Sequence, residues 1–397
     1  MIVHQPLTKH NFIRLGVNTK YKNWKIIYWS ILPLINKKIY IDFTKEGSRH
    51  LKNRNYKEIS SFMELIKEKK KLPKNFFYSN SAGNYLIASI IDRILYISGG
   101  IKISLKYNTE IDIDIFTIRN FIEYFRKNSF LRILRRTPYM ISKKLLEYLS
   151  NIIGSTPSSL SFVFNNNVYQ KIKKKNQKTS IIKVDSPELE LFLKARKRKK
   201  KITSNIVFID DVVEGSFDDK LGYAQDRYRR SSDYWGPTRN LLNHIKNYFP
   251  NYKILIAAHH RRNENDIPIK DYKFYFDQTS ELIKNTKLVL CHNSFACQIA
   301  VLFKKPIIFL TSDYYQKYHH HSHVLTIELS KTLGTQHIHI GKNFDKNSST
   351  IKKIKQAKIN TSKYEEYRKK YIQFDSKIHG RWKNILKNLD NNKSLIL

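Results

Sequence analysis

Between Asn205 and Leu310, four apolar runs of strand length alternate with segments of helical periodicity. The runs are Asn205–Asp210 (NIVFID), Lys253–Ala258 (KILIAA), Lys287–Cys291 (KLVLC) and Pro306–Leu310 (PIIFL). Tyr234–Tyr248 sets Leu241, Leu242, Ile245 and then Phe249 at helical spacing before Pro250 stops it. Thr279–Asn285, with Leu282 and Ile283, and Phe295–Phe303 read as two further helices. Strands that are apolar throughout are buried on both faces. Alternation with helices meets that need in a parallel sheet covered on either side. The expected class is therefore α/β and doubly wound.

The first half carries a fainter version of the same pattern. Trp24–Trp29 and Lys38–Asp42 read as strands, and Phe76–Tyr78 leads into a helix over Ala82–Asp92. Phe116–Phe130 and Ile141–Ile153 read as helices. Two Rossmann-like domains facing a central cleft fit this arrangement. The run Lys194–Lys201, with seven basic residues in eight, marks a linker or an exposed helix end. The expected division is an N-terminal α/β domain 1–193, a basic linker 194–204, a C-terminal α/β domain 205–345 and a helical segment 346–397.

Charge narrows the partners. The chain has 73 Lys and Arg against 33 Asp and Glu, a net +40. Nucleic acid, anionic lipid headgroups and phosphorylated substrates would all be attracted. An abundance of Lys, Asn, Ile and Tyr, the residues of A/T-rich codons, accounts for the excess equally well. With 41% hydrophobic and 13% aromatic residues, the chain is not intrinsically disordered. Two cysteines, Cys291 and Cys297, make no disulfide framework and point to a reducing compartment. No run approaches the roughly 18 apolar residues of a membrane span, and the opening residues lack the pattern of a signal peptide. A cytoplasmic protein is expected, with its charge able to hold it peripherally at the inner face of the membrane.

Polar residues gather at the carboxyl ends of the expected strands, where ligands bind in open parallel sheets. The first strand ends in Asp210-Asp211, with Glu214 and Asp218 beyond it. The second ends in His259-His260-Arg261-Arg262, the third in His292-Asn293-Ser294, and the fourth in Thr311-Ser312-Asp313. This set suits a phosphorylated ligand. A helix start offers unsatisfied N–H groups and the positive end of a dipole. Ser294 adds a hydroxyl, Arg261 can fork onto phosphate oxygens, and His259 can donate or protonate near neutral pH. Taken singly, Ser294 reads as a helix cap, the histidines as packed side chains and the aspartates as caps. Their convergence on one edge favours the ligand.

Other signals carry less. The tract His319-His320-His321 with His323, and His337 with His339, resembles a metal sequence but reads as a loop patch without a fixed frame. No metal is expected. Cys291 and Cys297, lacking a CxxC spacing, read as buried thiols. P-loop, GxGxxG and G-x-S-x-G motifs are all missing from the sequence.

Lys253-Ile-Leu-Ile-Ala-Ala-His-His-Arg261 resembles the I-A-A-H-P-R segment of a bacterial family of surface-polysaccharide (lipopolysaccharide and capsule) biosynthesis proteins. Its members are glycosyltransferase-like, with two Rossmann domains of the GT-B type. Gln278–Glu281, Leu288–Ser294 and Ala300–Pro306 are similar to that family's K-T-A-E-L-V, H-x-S-T-A and A-V-L-F-x-K-P. Val207–Asp210 with Asp218 looks like its V-F-L-D-Q and H-P-D, and Thr8–Asn11 with Arg14–Gly16 looks like its opening helix. The likeness is good over about 205–340. His260 replaces the family's Pro, and Phe295 replaces its Thr. A similar His-Pro and Ser/Thr pairing occurs in bacterial sialyltransferases, where it holds the phosphate of a CMP-sugar.

The resemblance implies a glycosyltransferase that moves a sugar from a CMP- or UDP-linked donor to a surface-glycan or lipid-linked acceptor, with neither cofactor nor metal. His259, Arg261 and Ser294 become donor-phosphate contacts, with His292, Glu281 and Thr311 also on the donor side. Asp210 and Asp211 are candidates for the base that activates the acceptor, and Asp42 and Glu46 compete with them from the N-terminal, acceptor-side domain. The first alternative is a nucleic-acid-binding protein, favoured by the charge, 25 Tyr and 22 Phe, although no nucleic-acid module is recognisable. The second is a sugar-nucleotide epimerase on the same double fold.

Overall fold

A computed structural model describes residues 1–3, 7, 9–17, 19–22, 24–38, 40–41, 51–81, 86–106, 145, 148–149, 152–153, 158–175, 180–199, 203–211, 231–260, 262, 267–341, 348–373, 380–392 and 394. Their contacts form two compact units. One spans the described part of 1–184 together with the C-terminal helix, and the other spans 185–373.

The second unit is the regular alternation foreseen from sequence. Its strands are β8 (Asn205–Ile209), β9 (Lys253–Ala257), β10 (Phe274–Tyr275), β11 (Leu288–Cys291), β12 (Ile307–Ser312) and β13 (Gln336–Ile340). All pair in parallel, in the order β10-β9-β8-β11-β12-β13. The chain builds outward from β8 in one direction, then returns to start again at β11. Between those two strands lies the switch point where open α/β sheets bind ligands. Phe208, Leu290, Ile308 and Leu310 fill the sheet's interior, and Tyr234, Leu241, Leu242 and Ile245 of α7 (Ser231–Tyr248) pack on them.

In the first unit, β1 (Ile2–Val3), β2 (Tyr28–Ser30) and β3 (Tyr56–Glu58) form one parallel set. A second set is β4 (Phe76–Tyr78), β5 (Gly100–Lys106), β6 (Leu160–Val163) and β7 (Ser180–Lys183). A parallel bridge from Ile2 to Asn80 joins them, with Ile2 donating to the Ser79 carbonyl at 2.8 Å and Ser81 donating back to Ile2 at 2.9 Å. Each unit is thus Rossmann-like, and the α/β class with two such domains holds.

The boundary differs from the expected one. It falls after Val184, because Ser186 caps α6 (Pro187–Arg196) and that helix packs in the second unit against α8 (Thr279–Asn285) and α9 (Cys297–Leu302). Phe192 meets Phe303 there at 4.6 Å between ring centroids. The front of the basic run is therefore the end of a helix, and the buried Lys284 amine caps it by donating to the carbonyls of Ala195 and Arg198. Residues 346–397 likewise do not act as one appendage. The final helix, α14 (Arg381–Asn391), returns to the first unit, where Trp382, Ile385, Leu386 and Leu389 pack on Ile103, Leu160, Phe162 and Phe164.

Local departures have local causes. Lys38–Asp42, read as a strand, is helical at Lys38, Tyr40 and Ile41, with Asp42 outside the described residues. The expected strand Trp24–Trp29 is reduced to Tyr28–Ser30. Phe116–Phe130, Glu46, Arg261, Glu214 and Asp218 lie outside the described residues, as does most of Ile141–Ile153.

Candidate functional site

Register delivers three strand ends side by side. Ile209 pairs with Ala257, and Phe208 with Leu290, so Asp210, His259 and His292 leave the sheet on one edge at the switch point. Asp210 is fully buried. Its Oδ2 accepts from Arg262 Nε at 2.6 Å and from the His259 backbone N–H at 3.1 Å, while its Oδ1 accepts from Arg262 Nη2 at 3.0 Å. The guanidinium lies 5.3 Å from the Trp235 ring and 5.8 Å from Phe274. Two planar groups and two rings thus tie the end of β8 to the end of β9.

His292 is equally enclosed. Burial lowers its pKa to about 4, so the ring is neutral at neutral pH. Its Nδ1–H donates to the Leu310 carbonyl at 2.6 Å, leaving Nε2 to accept from the Tyr234 hydroxyl at 2.8 Å. The ring also stacks on Tyr315 at 4.4 Å and 17°. Tyr315 in turn donates to Asp211 Oδ2 at 2.5 Å, and burial, followed by Asp211, pushes its phenol well above the ordinary range.

The expected site residues therefore divide by access. Asp211, His259 and Ser294 are half-buried and within reach of a ligand. Asp210 and His292 are fully buried: Asp210 accepts from Arg262 and from the His259 N–H, and both ring nitrogens of His292 are engaged internally. Thr311, also fully buried, serves a second network. It donates to His339 Nδ1 at 3.0 Å and accepts from His337 Nε2 at 2.8 Å, while His339 Nε2 reaches Asp313 at 2.9 Å. Burial, with Lys353 and His339 adding to it, lowers the His337 pKa to about 4. Glu281 turns away along α8 to pair with Arg198 at 2.9 Å, and so belongs to the seam with α6. Ser294 Oγ accepts from the Ala296 N–H at 3.3 Å in a turn that precedes α9, whose first helical residue is Cys297 rather than Phe295. The Phe295 ring is exposed.

Sequence reasoning missed Arg262, Tyr234 and Tyr315. Arg262 was visible as the second member of Arg261-Arg262, but choosing between adjacent arginines requires knowing which one turns inward. The histidine tract is no loop: His320 opens α11 (His320–Leu333), and the buried His323 meets His339 edge-on at 6.0 Å. Both cysteines are buried free thiols, and burial pushes their pKa values up. Among the described residues, no group of three or more His, Cys, Asp or Glu side chains is placed to hold a metal ion, and no helix is long and apolar enough to cross a membrane.

No known family profile matches the chain, and no curated protein matches it in sequence. Solved structures match in fold. The H444N variant of the wall teichoic acid polymerase TagF is 12% identical, covering 100% of this chain and 90% of that one, with a TM-score of 0.52. The S. aureus MnaA–UDP co-structure is 9% identical, covering 98% of this chain and 94% of that one, with a TM-score of 0.50. At such identity the likeness is one of architecture.

Proposed function

We propose that the chain is a sugar-nucleotide enzyme, and specifically a glycosyltransferase moving a sugar from a CMP- or UDP-linked donor to a surface-glycan or lipid-linked acceptor at the inner face of a membrane. One observation carries this reading. A buried Asp210–Arg262 pair locks the ends of β8 and β9 together, where the half-buried Asp211 and His259 follow them, and the half-buried Ser294 follows the end of the adjoining β11. Preorganised groups of this kind stabilise charge that develops during a reaction.

The donor's phosphate is bound by His259, by the turn at Ser294 and by Arg261. Asp211 is the carboxylate left for base catalysis once Asp210 is committed to Arg262. In the transfer, an acceptor hydroxyl oxygen bonds to the anomeric carbon while the bond from that carbon to the phosphate oxygen breaks. The phosphate leaves with the electron pair, and the hydroxyl proton passes to Asp211.

Calorimetric titration and thermal unfolding with CMP, UDP and GDP test the reading. A ligand at 100 times its Kd adds about 2.7 kcal/mol of stability, so one of the three should raise the unfolding temperature by several degrees. If all three leave it unchanged, the reading fails. The epimerase alternative draws support from a further structure of the same fold, the putative UDP-N-acetylglucosamine 2-epimerase from Listeria monocytogenes, 9% identical with a TM-score of 0.50. Incubating the bound sugar nucleotide without acceptor separates the two, because an epimerase alters the sugar and a transferase leaves it intact.

A further inference from the structure

Two cavities in the first unit share a wall. One, of about 540 Å³, is lined by apolar side chains that include Trp24, Trp29, Phe77, Leu105, Trp382 and Leu386. It lies within the range of small-molecule sites, roughly 300–1,000 Å³. The other, of about 880 Å³, is basic and is bordered by Lys20, Lys22, Lys25, Lys52 and Arg54. None of the described residues lining it is acidic. Trp24, Lys25 and Ile26 line both.

Trp24 is fixed between the two, donating from Nε1 to Asp390 Oδ1 at 3.1 Å. The same carboxylate pairs with Lys22. The side chains of Lys20, Lys25, Lys52 and Arg54 stand in solvent. Either cavity alone would suggest little, the first a packing void and the second a share of the overall +40 charge. A common wall changes this, since one molecule with a hydrocarbon chain and an anionic end satisfies both.

We infer that the first unit binds a lipid phosphate, its chain in the aromatic cavity beside α14 and its phosphate among Lys20, Lys25, Lys52 and Arg54. The inference is independent of the sugar-nucleotide reading, because it concerns other residues and is tested by binding alone.

Equilibrium dialysis of the full chain against 1-oleoyl lysophosphatidic acid, below its micelle concentration, is the test. Saturable binding of one lipid per chain is expected. Monooleoylglycerol, which keeps the chain without the charge, and glycerol 3-phosphate, which keeps the charge without the chain, should each bind at least tenfold more weakly. The double variant Lys25→Glu/Arg54→Glu should lose at least tenfold, whereas Lys352→Glu/Lys355→Glu, an equal charge change in the other unit, should stay within twofold. Leu105→Trp fills the cavity and should also lose at least tenfold. Leu72→Trp replaces it if that variant does not fold. Farnesyl phosphate run in parallel tells an isoprenoid chain from an acyl chain, and tighter binding of either supports the site. The inference is overturned if neither lipid binds or if glycerol 3-phosphate binds as tightly as the lipid. It is equally overturned if the two charge variants lose alike, or if a folded cavity-filling variant binds like the parent.

Discussion

Arg262 closes on Asp210 as a fork across 52 residues of chain, Nε to Oδ2 at 2.6 Å and Nη2 to Oδ1 at 3.0 Å, with neither side chain more than 1% exposed. A pair so placed can serve the site only by holding it still. Of the groups that remain accessible, His259 is held by it directly, its backbone N–H completing the set.

Removing one partner should be costly, because a buried charge is left without its counterpart. Asp210→Ala is expected to lose about 3–5 kcal/mol, whereas Asp210→Ala/Arg262→Leu should recover part of that. Urea unfolding of both variants measures the difference.

His292 makes stability depend on acidity. Unfolded, the ring protonates near its ordinary 6.5; folded, it does so only at about 4. Between those values the unfolded chain binds more protons, so stability falls as pH drops through that window, by about 3 kcal/mol for this one group. In urea midpoints recorded from pH 7 to pH 4, His292→Gln should show a visibly flatter slope over that interval.

Gly16 sits at φ +63°, and a Cβ there would strike the Trp382 ring and stand 2.7 Å from Thr19 Oγ1. Gly16→Ala combines left-handed strain with overpacking and should cost about 2–4 kcal/mol. Thermal unfolding would register it as a clear drop in the unfolding temperature.

Two accessible groups should separate binding from folding. Ser294→Ala and His259→Ala are each expected to weaken nucleotide binding by roughly tenfold, about 1.4 kcal/mol. Both should unfold within about 0.5 kcal/mol of the parent at neutral pH, since neither side chain is a core group. Calorimetric titration against the nucleotide that binds the parent decides this.

The second unit was legible because its strands advertise themselves. Asn205–Ile209 and Lys253–Ala257 are apolar after their first residue and Leu288–Cys291 is apolar throughout, and Thr279–Asn285 agrees with its predicted helix residue for residue. β13 was not seen, since Gln-His-Ile-His-Ile holds only two apolar residues and no apolar run, its histidines being satisfied by Thr311 and Asp313 across the sheet and at its edge. β10 is two residues long, too short for any period. In the site, residue type and strand position identified which edge carries chemistry. They could not tell Asp210 from Asp211, because that distinction is made by Arg262 and Tyr315, which approach from elsewhere in the chain.

The return of α14 to the first unit has a bearing on how the protein is made. Arg381 and Trp382 both donate to the carbonyl of Arg14, and the apolar side of the helix completes a core begun by β5 and β6. Burying Trp382, Ile385, Leu386 and Leu389 is worth about 1.5–3 kcal/mol each, comparable in sum with a whole domain's stability. The first unit must therefore wait, unfinished, until α14 has been made, while the second unit, synthesised in between, already has every strand of its own sheet.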